Sequence, residues 1–330
     1  MSSYPQAVER AALFDLSAHG KIELAGPEAL MFLNNLCTQD VKGLPVGEGR
    51  EAFLTTAKAK IVAHVLIGHF AAADDGAFVL LDTVAGQAGK VLAHLNHFLI
   101  SEQVELADRT ASLAQFHICG PRAQDVLHES LGEAVADLKE LGNRTLAWSG
   151  GEPILVRRND VLGLPGFDVF CPAAISQELA AKVTSAGAAP ATDAVWDILR
   201  IEAGWPVYGI DMDDKRLAME VGRTRAISYT KGCYLGQETI VMARDRGHVN
   251  RMLTPLRIDG DQPATPGARV FHQEQEVGQV TSAAVSPRLG AIALAYLRRG
   301  FWEPGMQLFL DHPGGPIAHI SGSRTETSTK

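Results

Sequence analysis

Gly20–Leu36 reads GKIELAGPEALMFLNNL. Its first six residues alternate as a strand does, Gly26-Pro27 breaks the pattern, and the rest has the spacing of an amphipathic helix. Proline suits the opening of a helix, where the N–H it lacks has no partner to lose. The same order returns in AQFHICGPRAQDVLHESL (Ala114–Leu131). It returns in looser form, with Cys171-Pro172 at the junction, in GFDVFCPAAISQELAAKV (Gly166–Val183). Either these are three related βα units within one mixed domain, or a common succession has recurred by chance.

Between the first two copies, Arg50–Thr110 carries strand-like AFLTTAKAKIVAHVLIGHF and AFVLLDTV around an Asp74–Gly76 turn. A helix near Gly86–Leu99 and a strand near Val104–Leu106 follow. Short turns between strands favour a mainly antiparallel sheet with helices on one face. After Arg251 the texture becomes β-rich: LTPLRIDG, GARVFH, EVGQVTSAAVSP, GAIALAYL and GMQLFL, separated by Gly, Pro and Asp. That reads as a small all-β barrel or sandwich, followed by a frayed tail, SGSRTETSTK.

At 330 residues the chain is long enough for two or three domains, and 46% hydrophobic with 21% charged residues marks a soluble globular protein. A net charge of −8 gives no bulk support for nucleic-acid or anionic-membrane binding. The start, MSSYPQAVER, has no secretory pattern and no apolar run is long enough to span a bilayer, so a cytoplasmic location is expected. Cysteines 37, 119, 171 and 233 are scattered without a CxxC pair, which argues against structural zinc and disulfides.

One of them, Cys233, sits in TKGCYLGQET, Thr230–Thr239. This is not a phosphate loop, because Lys231 precedes the glycines. Gly232 and Gly236 permit a turn leading into the helix GQETIVMARDR. Lys231 beside the thiol, and a helix N-terminus just downstream, would both favour thiolate. Such a thiolate exchanges disulfides, attacks carbon or binds iron or copper transiently. Tyr234 either stacks on a flat ligand or plugs a seam. The bland alternative is a structural corner. A Cys–His hydrolase using His117, His128 or His248 has no accompanying oxyanion motif. Arg244, Arg246 and Arg251 follow as a solvated face or, as a group, an anion-binding one.

Four stretches in order resemble the folate-binding YgfZ/GcvT family: LFDLSAHGKIELAGPEALMFLNNLCTQDV, RIEAGWPVYGIDMD (Arg200–Asp213), TKGCYLGQET and GQVTSAAVSPRLGAIALAYL. The KGCYxGQE motif is similar to that of the YgfZ branch of iron–sulfur assembly factors; the other three stretches are shared with the glycine-cleavage aminomethyltransferase. The resemblance covers nearly the whole chain. It implies an α+β, three-domain, ring-like fold with a folate pocket. Residues 1–49 and 111–246 would form a discontinuous first domain, 50–110 an inserted antiparallel αβ domain, and 247–330 a C-terminal β-barrel.

The same resemblance implies site residues. Glu202 would hold the pterin, whose N–H edge an ionised carboxylate accepts side by side; on its own it reads as a surface glutamate paired with Arg200 or solvated. Ala63-His64 stands where the transferase branch carries an acidic pair, which points away from aminomethyl transfer; His64 would be an acid–base group or a packed bystander. Leu80 and Asp82 fall where the family lines its pocket, although Asp82 equally suits a helix cap, and His19 falls at a pocket wall. The leading expectation is thus a tetrahydrofolate-binding accessory protein for iron–sulfur assembly or repair. It would have iron–sulfur client or assembly partners, a transient iron contact through Cys233, and Lys231, Tyr234 and Glu202 around it. The alternatives are a folate-dependent aminomethyl transferase or demethylase, and a scaffold that has lost its ligand.

Overall fold

A computed structural model describes residues 3–72, 76–132, 135–148, 151–245 and 249–321. In chain order the elements begin α1 (Tyr4–Glu9), β1 (Ala12–Asp15), β2 (Gly20–Ala25), α2 (Ala29–Leu36), β3 (Gly49–Thr55), β4 (Ile61–Ala71), β5 (Ala77–Thr83), α3 (Ala88–Phe98) and β6 (Glu105–Asp108). There follow β7 (Leu113–Cys119), α4 (Ala123–Leu131), β8 (Asn143–Ala147), β9 (Pro153–Arg158), β10 (Gly166–Pro172), α5 (Ser176–Ser185), β11 (Ala189–Pro190), α6 (Asp193–Glu202) and α7 (Gln237–Asp245). The last six strands are β12 (Arg251–Ile258), β13 (Arg269–His272), β14 (Gln275–Ser286), β15 (Gly290–Arg298), β16 (Gln307–Leu310) and β17 (Ile317–Ile320). The chain divides into two compact units, Met1–Trp196 with Arg223–Met242, and Asp197–Gly222 with Ala243–Lys330.

The first unit holds two sheets. One is six-stranded, in the order β11-β1-β7-β10-β9-β8, and antiparallel except for the short β1–β11 pair. The other is five-stranded and wholly antiparallel, in the order β3-β4-β5-β2-β6. Its strand β2 comes from before residue 50, so this sheet is not made from 50–110 alone. The run IVAHVLIGHF is buried almost throughout, so the sheet is covered on both faces along this strand. Among the described residues no helix is long and apolar enough to cross a membrane.

The opening stretch folds as strand, turn and helix, with one correction. Pro27 and Pro121 lie two residues before the helices they precede, not in their first turns. The turn is made by the glycines. Gly26 and Gly120 have φ of +117° and +124°, and a Cβ would meet Gln103 O at 2.2 Å and Arg10 O at 2.5 Å. Only glycine fits such a backbone approach. The third copy has no such glycine and passes through a 3₁₀ turn, Ala173–Ile175, into α5. Of the three strands, β2 lies in the five-stranded sheet and β7 and β10 in the six-stranded one.

In the second unit β12-β15-β14-β13-β16-β17 close into a barrel. Alternation along β15 explains its two-sided burial. Ala291, Ala293, Ala295 and Leu297 join the barrel core, while Ile292, Leu294 and Tyr296 pack with Ile201 and Leu253. Five of these strands were readable as β-rich runs. β17 was not, because only IAHI marks it.

Candidate functional site

The motif loop is fastened at both ends to the first unit. Lys231 is buried, and its Nζ donates to the carbonyls of Asn34 (2.6 Å), Cys37 (3.1 Å) and Gln39 (2.7 Å). These close the C-terminal end of α2, where an ammonium complements the dipole. Burial lowers the lysine's pKa, yet its three N–H groups have three acceptors. The ammonium also lies 4.9 Å from the Tyr234 ring centroid, and Tyr234 is buried. At the other end Gly236 has φ +86°, and a Cβ there would stand 2.7 Å from Thr56 O. Thr55 Oγ1 donates to Leu235 O (2.9 Å) and Leu235 N to Asn35 O (2.9 Å). Between these fastenings Cys233 is exposed; Cys37, Cys119 and Cys171 are buried.

His64 lies in a different group. Its Nε2 is 2.8 Å from Glu51 Oε1 on β3, and Phe53 stacks on the imidazole at 4.9 Å. Arg223 grips the same carboxylate with two N–H groups, at 2.7 and 2.5 Å, and Arg225 Nε donates to Oε2. Burial alone would push the Glu51 carboxyl up. Arg223 and His64 outweigh it and hold the group well below the usual carboxylate range. A fixed anion therefore stands one strand away from the Ala63-His64 pair that lacks one.

Asp82 belongs to a third group, and it caps no helix. Oδ2 accepts from Arg157 (2.5 Å) and Gln115 (3.0 Å), and Oδ1 lies 3.2 Å from His19 Nδ1. Arg157, fully buried, also binds Asp168, whose other oxygen meets His117 at 2.8 Å. Burial would raise both carboxyls, but the guanidinium lowers them. Leu80 packs with Phe70, Leu155 and Phe170, an apolar cluster joining residues of both sheets.

Glu202 falls in the second unit. Its carboxylate is 3% exposed, accepts from Ser286 Oγ, and accepts from Arg288 at 2.6 Å. Arg200 turns away to Asp197 (2.9 Å), Asp211 (2.7 Å) and Ser282 (3.0 Å). Arg244 is exposed and pairs with Asp245, and Arg251 is exposed. Arg246 and His248 lie outside the described residues.

The structure thus joins Lys231 with Tyr234 and Asp82 with His19, while His64 stands with Glu51. Sequence reading missed Glu51, Arg157, Asp168, Arg223, Ser286 and Arg288. Only the last two had a local signal, the SPRLG turn within a stretch already singled out. Among the described residues no group of three or more His, Cys, Asp or Glu side chains could hold a metal ion.

Two family models match the chain: the GCVT N-terminal domain over residues 3–231 and the glycine cleavage T-protein C-terminal barrel domain over 251–320. A protein of Rubrobacter xylanophilus named Aminomethyltransferase is 33% identical over 293 residues, 87% of this chain and 76% of that one. One of Thermotoga maritima with the same name is 28% identical over 312 residues, 92% and 83% respectively. The solved structure of glycine cleavage system aminomethyltransferase T from Bartonella henselae superimposes with a TM-score of 0.87 at 23% identity. That match covers 97% of this chain and 88% of the other. These findings overturn the expectation of an iron–sulfur assembly factor: the relatives are named for aminomethyl transfer, and the YgfZ branch, with its iron–sulfur partners, has no support.

Proposed function

We propose that this chain, which belongs to the family of the GCVT N-terminal domain and glycine cleavage T-protein barrel domain, is a folate-dependent aminomethyl transferase. The observation that carries this reading is likeness over both parts of the chain to proteins named Aminomethyltransferase. A bound reduced folate supplies the nucleophilic nitrogen that accepts the one-carbon unit.

The donor set suits such a ligand. Glu202 is a buried carboxylate, and Arg288, an arginine that donates to it, is 56% exposed. A pterin edge would be held by this carboxylate, which accepts N–H donors of the kind that Arg288 already offers it. In the first unit Glu51, held by Arg223 and Arg225, is a fixed anion rather than a proton donor. Asp82, saturated by Arg157, Gln115 and His19, has a supporting role instead of a ligand's.

Calorimetric titration with tetrahydrofolate tests the reading, followed by an assay of methylene-folate formed from an aminomethyl donor. Wild type is expected to bind and turn over, and Glu202→Gln to bind at least tenfold more weakly. Absence of binding refutes the folate site, and binding without methylene-folate formation refutes the transfer.

A further inference from the structure

Arg216, in the second unit, lies with its guanidinium carbon 4.0 Å from the centroid of the Tyr296 ring. Among the described residues it is the one half-buried arginine whose side chain has neither a carboxylate nor a carbonyl partner. A guanidinium withdrawn from water ordinarily has such a partner, and stacking on an aromatic face compensates only part of the loss. The neighbouring carboxylates are already engaged. Asp213 accepts from the Lys215 N–H (2.9 Å) and Glu220 from the Leu217 N–H (3.2 Å). Asp211 takes Arg200, Val207 N–H, Thr281 and Ser282. Tyr296 supplies a second, independent sign. It is 3% exposed, and its hydroxyl is buried with no hydrogen-bond partner among the described residues.

We propose that Arg216, held over the Tyr296 ring, is a carboxylate-binding subsite and that it takes the glutamyl carboxylate of the folate. This rests on the folate reading above. A guanidinium presents parallel N–H groups, the geometry that a carboxylate accepts in bidentate fashion. The aromatic ring supports it, and the phenol is the second donor of the pair. Arg244 and Arg251, the described members of the basic group after the cysteine motif, lack these features: both are exposed and the first is held by Asp245.

The test compares tetrahydrofolate with tetrahydropteroate, which has the same pterin and aminobenzoate but no glutamate, on the full chain. For Arg216→Gln, tetrahydrofolate affinity is expected to fall about tenfold or more, as loss of a charged hydrogen bond implies. Tetrahydropteroate affinity should change less than about twofold on the same reasoning. Arg216→Lys, which keeps the charge and loses the fork, should fall between, and it stands in if the glutamine variant does not fold. Equal weakening of both ligands, or of neither, overturns the subsite while leaving folate binding intact. If wild type binds neither ligand, the folate reading fails and the subsite with it.

Discussion

Replacing Arg157 by methionine keeps an unbranched apolar stem and deletes one buried positive charge. The guanidinium is fully buried and donates to Asp82 (2.5 Å) and Asp168 (3.0 Å through Nε, 2.5 Å through a terminal nitrogen). It also lies 5.2 Å from the Phe170 ring centroid. Removal leaves two buried carboxylates without their cation, and breaking a buried pair from one side costs about 3–5 kcal/mol. For a unit of this size that corresponds to a midpoint lowered by roughly 6–20 °C. The pH dependence separates charge from packing. In wild type both carboxyls sit below their usual values, so the stability they contribute is present above about pH 3.9 and is lost on acidification through the folded values. In Arg157→Met burial loses its main opponent, with only the histidine contacts of His19 and His117 still acting against it; the carboxyls rise, and the defect should shrink as pH falls from 7 towards 4.5. Adding Asp82→Asn and Asp168→Asn should recover most of the loss at pH 7. Thermal unfolding followed by circular dichroism at both pH values measures this. A defect below about 1 kcal/mol, or one independent of pH, refutes the account of Arg157 as the charge that makes this polar interior tenable.

Two further outcomes follow from named groups. Wild type should present one rapidly reacting thiol, lost in Cys233→Ser, because the other three cysteines are buried; in Lys231→Met the carbonyls of Asn34, Cys37 and Gln39 lose their shared donor, which should loosen the C-terminal end of α2 and expose Cys37 to the same reagent at a measurably higher rate. Glu140 is raised to about 7 by burial and then by Asp160, with Arg225 3.6 Å away. Its contribution to stability is therefore complete below its unfolded value and lost as pH rises through about 7. Denaturation midpoints of Glu140→Gln should exceed wild type at pH 8 and converge with it near pH 4.5; parallel curves would contradict this.

Much of the architecture was legible because local patterns report local facts. Alternation gave the strands of the barrel, and the two Gly-Pro junctions lie where positive φ and close backbone approach demand glycine. Membership of a sheet was less legible. β2 pairs with β5 and β6, partners more than fifty residues away, and nothing in GKIELA announces them. The polar groups divide in the same manner. Glu202 stood out in a motif, but Arg157 sits in ILVRRND beside Arg158, and sequence offers no means of telling which of two adjacent arginines is buried. In the structure Arg157 faces Asp82 and Asp168 while Arg158 pairs with the half-buried Asp160.

The cysteine motif misled for a related reason. TKGCYLGQET was read as chemistry on the resemblance of its KGCYxGQE pattern to a family motif, with a structural corner as the alternative. In the structure Lys231 and Tyr234 point inwards, closing α2, and Gly236 lets the backbone meet Thr56. Three of the motif's distinctive residues thus fasten a returning segment, Arg223–Met242, onto the first unit, and Glu51 fastens the start of the same segment through Arg223 and Arg225. The missing acid at Ala63-His64 was weighed just as locally. Whether a strand lacks a carboxylate cannot be judged from that strand, since Glu51 on β3 places one 2.8 Å from His64 Nε2. Anchoring and chemistry draw on the same residue types, lysine, glutamate, arginine and histidine. They are told apart by how many partners each side chain already has: Lys231, Glu51 and Asp82 are saturated by the chain itself, whereas Arg216 is not.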